Sequence, residues 1–70
     1  SPLMVTAISK IISDINLKER VSILLVEQNT RMALKITQKG YVLETGNVVL
    51  EGTSKDLIED ERVKKAYLGE

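Results

Sequence analysis

VSILLVEQN, residues 21–29, sets six mostly aliphatic positions directly before an acid and two amides. Val21 to Val26 show no strict alternation of apolar and polar side chains, so the stretch reads as a strand buried on both faces, as in a parallel sheet covered by helices. Such a strand needs a neighbour on each side. Its end at Glu27-Gln28-Asn29 marks a polar candidate site at the tip of a buried element.

Both flanks of this stretch read as helical. Upstream, Ser1 can cap and Pro2 suits a first helical position, where the missing N–H costs nothing. Leu3, Met4, Ala7, Ile8, Ile11, Ile12 and Ile15 recur at three- and four-residue spacing, which predicts a helix over 2–16 closed by Asn16, with Leu17 to Arg20 as a short charged loop. An opening at a helix cap rather than at Met gives the expectation of a chain cut from a longer product. Downstream, Asn29 is a natural cap for a helix over 30–38, with Met32, Ala33 and Ile36 inward and Gly40 just past its end. Residues 41–44 and 48–51 flank Thr45-Gly46-Asn47 and predict a hairpin, with Gly46 either in a bulged three-residue loop or leading a two-residue turn with Asn47. Thr53 with Asp56 resembles a capping box and starts a helix through Glu59. Asp60 caps a last one, with Val63, Ala66, Tyr67 and Leu68 on its apolar side and Gly69 at its end.

Composition narrows the function classes. Seventy residues make one domain at most, and a chain this short buries only about 60% of its unfolded surface. Apolar residues are 43% of the total, with no Phe or Trp, so Leu, Ile and Val must build the core. Ten basic and ten acidic residues are interspersed and cancel, which leaves no electrostatic footprint for a nucleic acid or an anionic membrane. The absence of Cys and His removes disulfides, thiolates and the usual zinc ligands, and fits a cytosolic protein. The longest aliphatic run, Ile23 to Val26, is far short of the roughly 20 residues of a membrane helix.

Three segments in order, LLVEQN (24–29), GYVLETGNVVLEG (40–52) and AYLGE (66–70), carry a resemblance that extends over the whole chain. Together they resemble the C-terminal end of an ABC transporter ATPase subunit, most closely the branched-chain amino-acid importer type, with SPLMVTAISKII (1–12) similar to the helix before it. The resemblance implies an α/β fold, the C-terminal piece of a P-loop NTPase domain following the D-loop: helix, buried parallel-type strand, helix, hairpin and two short helices. It also implies that Gln28 stands at the switch position facing the γ-phosphate of ATP, where most such ATPases carry His. An amide can donate to a phosphate oxygen and accept from water, but it cannot take a proton near neutral pH as imidazole can. Without the resemblance, the commoner reading of Gln28 is a polar residue whose amide satisfies loop backbone groups. Glu27 reads as a solvated or loop-anchoring carboxylate, Asn29 as a cap, Arg31, Lys35 and Lys39 as a solvated helix face, and Met4 and Met32 as core filler. Glu61 stands where many relatives have Pro and Thr45 where many have Asn, departures that touch turn chemistry and not Gln28.

The sequence contains no G-x-x-x-x-G-K-[ST] loop, no magnesium-binding strand end and no catalytic Glu after one. The 70 residues alone are therefore expected neither to bind nor to hydrolyse ATP, and no residue is assigned a catalytic or metal-binding role. For the parent subunit the resemblance implies ATP and Mg2+, a second ATPase subunit, a membrane permease and a place at the inner face of the cell membrane. It further implies that the strand between 21–26 and 41–44 is missing, so the expectation is direct pairing of those two, with self-association through 21–26 as a further outcome. Two other classes stay open. One is an independent α/β interaction module; the other, a small enzyme, lacks any His, Cys or telling carboxylate pair.

Overall fold

A side-chain oxygen caps each of the four helices in the computed structural model, which describes all 70 residues. Ser1 Oγ accepts from Met4 N at 3.4 Å to start α1 (Pro2–Lys18), and Asn29 Oδ1 accepts from Met32 N at 3.1 Å to start α2 (Thr30–Ile36). The strands β1 (Lys39–Glu44) and β2 (Asn47–Thr53) follow. Thr53 Oγ1 accepts from Asp56 N at 3.1 Å to start α3 (Ser54–Glu59). The Ser1, Asn29 and Thr53 caps each contribute about 1 kcal/mol by satisfying a donor that the first helical turn leaves open.

In α4 (Glu61–Tyr67) the cap is Asp60, whose Oδ1 accepts from Arg62 N at 2.8 Å and Val63 N at 3.3 Å. The Arg62 guanidinium also donates to both carboxylate oxygens, and chiefly this, with the two backbone N–H groups, holds the Asp60 carboxyl down to about 2. Because the folded value lies below the ordinary 3.8, folding favours the ionised form. Its contribution is present above the unfolded value and is lost as pH falls from about 4 through about 2. Thermal melting followed by circular dichroism should therefore show a steeper loss of midpoint between pH 4 and pH 2 for the wild type than for Asp60→Asn. Equal slopes would contradict the assignment.

The hairpin is antiparallel, with Glu44 opposite Asn47 and Gly40 opposite Gly52. Thr45 (φ 51) and Gly46 (φ 78) form a two-residue turn in which both central residues have positive φ, as a type I′ turn requires. Neither turn expected from Gly46 and Asn47 is the one formed, since Asn47 already belongs to β2. The register slips between Val42 and Leu43, which face Leu50 and Val48, leaving Val49 as the extra residue of a bulge.

A small core lies where α3 and α4 meet the hairpin and α2. Leu57 and Val63 are its buried apolar members, and Ser54 is buried with its Oγ 2.7 Å from Thr37 Oγ1. Gly40 is not the end cap that the helix pattern suggested: α2 stops at Ile36 with Thr37 extended, and Gly40 lies inside β1. A Cβ there would stand 2.8 Å from Leu57 Cδ1 and 3.3 Å from Leu34 Cδ2, so the missing side chain is what lets Leu57 seat on the strand. Lys39, expected on a helix face, lies in β1 with its ammonium 5.2 Å from the centre of the Tyr41 ring.

The largest departure is at the stretch that opened the sequence. Residues 21–26 form no strand, and the sheet contains β1 and β2 alone, so the expected pairing of 21–26 with 41–44 is absent. From Ser22 to Val26 no backbone group joins a backbone–backbone hydrogen bond. The physical reason is that strand structure is a property of a pair, and β1, the neighbour expected for this segment, pairs with β2 alone. Leu24 and Val26 are 87% and 88% exposed, against a sequence reading that buried them. Helix α1 runs two residues beyond the predicted end, and Asn16, expected to close it, instead donates from Nδ2 to the Val21 carbonyl at 2.9 Å. Met4 is exposed rather than core, as are Leu3, Ile8, Ile11 and Ile15 on the same helix. The radius of gyration, 12.5 Å, exceeds the about 11 Å of a packed chain of this length, in keeping with these uncovered faces. Of the expected α/β architecture, the helices and hairpin are therefore present and the parallel-type strand is not.

Candidate functional site

The turn between residues 26 and 30 is organised by Glu27. Its Oε1 accepts from Gln28 N at 3.1 Å and from Asn29 N at 3.0 Å, the loop-anchoring one of the two roles read from the sequence. Thr30 Oγ1 donates to the Gln28 carbonyl at 3.4 Å, and the Asn29 carbonyl accepts from Ala33 N at 3.0 Å as α2 begins. Both backbone polar groups of Gln28 are thus engaged locally. Its side-chain amide forms no hydrogen bond, and the residue is exposed. The result is a fixed turn presenting one free amide, which can donate and accept at the same time.

The turn is not by itself a phosphate cradle. Two successive N–H groups of the kind that bind anions point at the Glu27 carboxylate, so an incoming anion would meet a negative charge already in place. No group of three or more Asp, Glu, His or Cys side chains converges anywhere in the chain. A cleft of about 350 Å³ lies between α1 and α2, lined by Val5, Thr6, Ser9, Asn29, Met32 and Ile36 among others. Gln28 does not line it, so the free amide and this cleft do not coincide.

Arg31, read from the sequence as a solvated residue, has specific partners. One of its guanidinium nitrogens donates to the Leu68 carbonyl at 3.1 Å and to Glu70 Oε2 at 3.0 Å. No local pattern announces this contact, because its partners lie 37 and 39 residues away. Tyr67 similarly donates from its hydroxyl to the Glu44 carboxylate, tying α4 to the hairpin, and that bond pushes the phenol above its usual value. Lys35 remains on the exposed side of α2, as expected.

No protein-family model matches the chain. Among curated proteins it is 39% identical over 69 residues to the high-affinity branched-chain amino acid transport ATP-binding protein BraG of Pseudomonas aeruginosa, a match that covers 99% of this chain and 29% of that protein. Over 53 residues it is 34% identical to the lipopolysaccharide export system ATP-binding protein LptB of Klebsiella oxytoca, covering 76% of this chain and 78% of that one. Over 50 residues it is 42% identical to the probable branched-chain amino acid transport ATP-binding protein LivF of Archaeoglobus fulgidus, covering 71% of this chain and 21% of that one. The chain thus spans less than a third of the length of the Pseudomonas and Archaeoglobus relatives.

Proposed function

This chain belongs to the ABC transporter ATP-binding proteins, and we propose that it supplies the C-terminal part of an ATPase domain that powers branched-chain amino-acid import. The observation that carries this reading is the 39% identity with BraG over 69 of the 70 residues, joined to a fold left uncovered along one edge. Residues 22–26, aliphatic but for Ser22, join no backbone–backbone hydrogen bond, and α1 exposes Met4, Ile8, Ile11 and Ile15. In this proposal the remainder of an ATPase domain covers both faces, adds the strands that flank 21–26, and brings the phosphate-binding loop and magnesium ligands to Gln28. Gln28 then senses the γ-phosphate with an amide that orients phosphate or water and takes no proton. Outside such a domain the 70 residues hydrolyse nothing. A second ATPase subunit and a membrane permease complete the transport machine. No helix of this chain is itself long and apolar enough to cross a membrane.

The test is a chimera in which residues 1–70 replace the matched residues of the Pseudomonas relative. Co-expressed with that relative's transport partners, the chimera is expected to hydrolyse ATP and to support uptake of leucine. A chimera that folds but is inert would count against the reading. Identity with the Klebsiella LptB favours a second reading, an ATP-binding protein of lipopolysaccharide export. A parallel chimera in that background decides between them, since the correct background should restore the larger share of transport.

A further inference from the structure

We propose that the C-terminal residues of this chain act as a latch that positions Gln28, with Arg31 as the positioning residue. The inference deepens the γ-phosphate reading and rests on it for its functional consequence. Helix α4 ends at a left-handed Gly69 (φ 72), as helix ends commonly do, and Glu70 N donates back to the Lys64 carbonyl at 3.0 Å. Leu68 N is held by the Val63 and Lys64 carbonyls, both at 3.2 Å. This closed end presents two acceptors to the same place, the Leu68 carbonyl and the Glu70 carboxylate, and one Arg31 nitrogen takes both.

Arg31 is the second residue of α2, three positions after Gln28, within the turn that Glu27 and Asn29 hold. The clasp therefore joins the last residues of the chain to the first turn of the helix that carries the candidate site. Both side chains of the ion pair are 46% exposed, so the latch is weak enough to open, and its loss should be felt as a change of about two- to fivefold rather than as unfolding. A strained alternative at residue 69 would release it from the other side, because a left-handed φ disfavours any residue with a Cβ.

The experiment compares amide hydrogen exchange in the 70-residue chain with that of Glu70→Gln, Gly69→Ala and Arg31→Lys. Expected for Glu70→Gln and Gly69→Ala is exchange at Met32 and Ala33 faster by about two- to fivefold, with shifted Gln28 and Asn29 resonances and unchanged exchange at Leu57. Arg31→Lys, which keeps the charge and loses the fork, should fall between. Unchanged resonances at Gln28 and Asn29 in both variants would overturn the latch whatever Gln28 does. Faster exchange together with shifted Gln28 and Asn29 resonances upholds it even if Gln28→Ala in the chimera leaves hydrolysis intact, an outcome that would overturn only the γ-phosphate reading.

Discussion

Leu57→Ala is expected to leave the isolated chain mostly unfolded at 25 °C. Leu57 is 4% exposed and sits where Gly40 opens the strand to receive it, so truncation removes buried methyl groups and leaves a void bounded by β1 and α2. Changes of this type cost about 2–5 kcal/mol, and a single core in a chain of this size supplies about 3–5 kcal/mol in all. The two ranges overlap, so one side chain decides whether the fold persists. Leu24→Ala is the control. At 87% exposure with no backbone partner it should change stability by about 0.5 kcal/mol or less. Urea melts of the two variants check the contrast, and the reverse order would place the core elsewhere.

Gln28→Ala in the ATPase chimera is expected to lower kcat by about a hundredfold, the usual consequence of deleting one preorganised donor at a centre of developing charge. KM for ATP should move little, because the amide is proposed to act on the γ-phosphate and its water and not to bind the nucleotide as a whole. Gln28→His provides the sharper reading. Imidazole can replace the donor but titrates near pH 6.5, so this variant should retain most activity at pH 8 and acquire a pH dependence that the parent lacks. Full activity in Gln28→Ala would remove the switch role, and a parent enzyme with the same pH limb would show that the limb arises from another group.

What the sequence disclosed and what it concealed divide along the range of the interactions. Ser1, Asn29, Thr53 and Asp60 were legible as caps because each carboxylate, amide or hydroxyl meets an N–H only two or three residues ahead. Gly69 was legible as a terminator for the same reason, whereas for Glu27 the sequence left a solvated and an anchoring carboxylate open, and its contacts one and two residues ahead decide for the second. Gly46 signalled the hairpin, but the turn type also depended on Thr45 accepting a positive φ, which its side chain does not advertise.

Contacts across the chain were hidden. Gly40 follows a helical pattern and so resembled a cap, whereas its real constraint is Leu57, seventeen residues later. Arg31 looked solvated because Leu68 and Glu70 approach it only after α3 and α4 have folded back. The segment 21–26 is the instructive failure. Its composition is that of a strand buried on both faces, but a strand needs a paired neighbour, and the segment pairs with nothing in the chain. Within the candidate site, the polar stretch Glu27-Gln28-Asn29 followed from the end of the aliphatic run, and the choice of Gln28 within it from the family resemblance. The freedom of its amide depended on Glu27 and Thr30 occupying its backbone, a detail only geometry supplies.

Gln28 is proposed to face nucleotide only in a site completed by residues outside these 70. Titration of the 70-residue chain with Mg2+ and ATP, followed through the amide resonances of Gln28 and Asn29, tests it most directly. The account predicts small shifts that grow linearly and do not saturate, because the local N–H groups already face the Glu27 carboxylate. Saturable shifts at those two residues would contradict it, since they would mean that the chain holds nucleotide without those further residues.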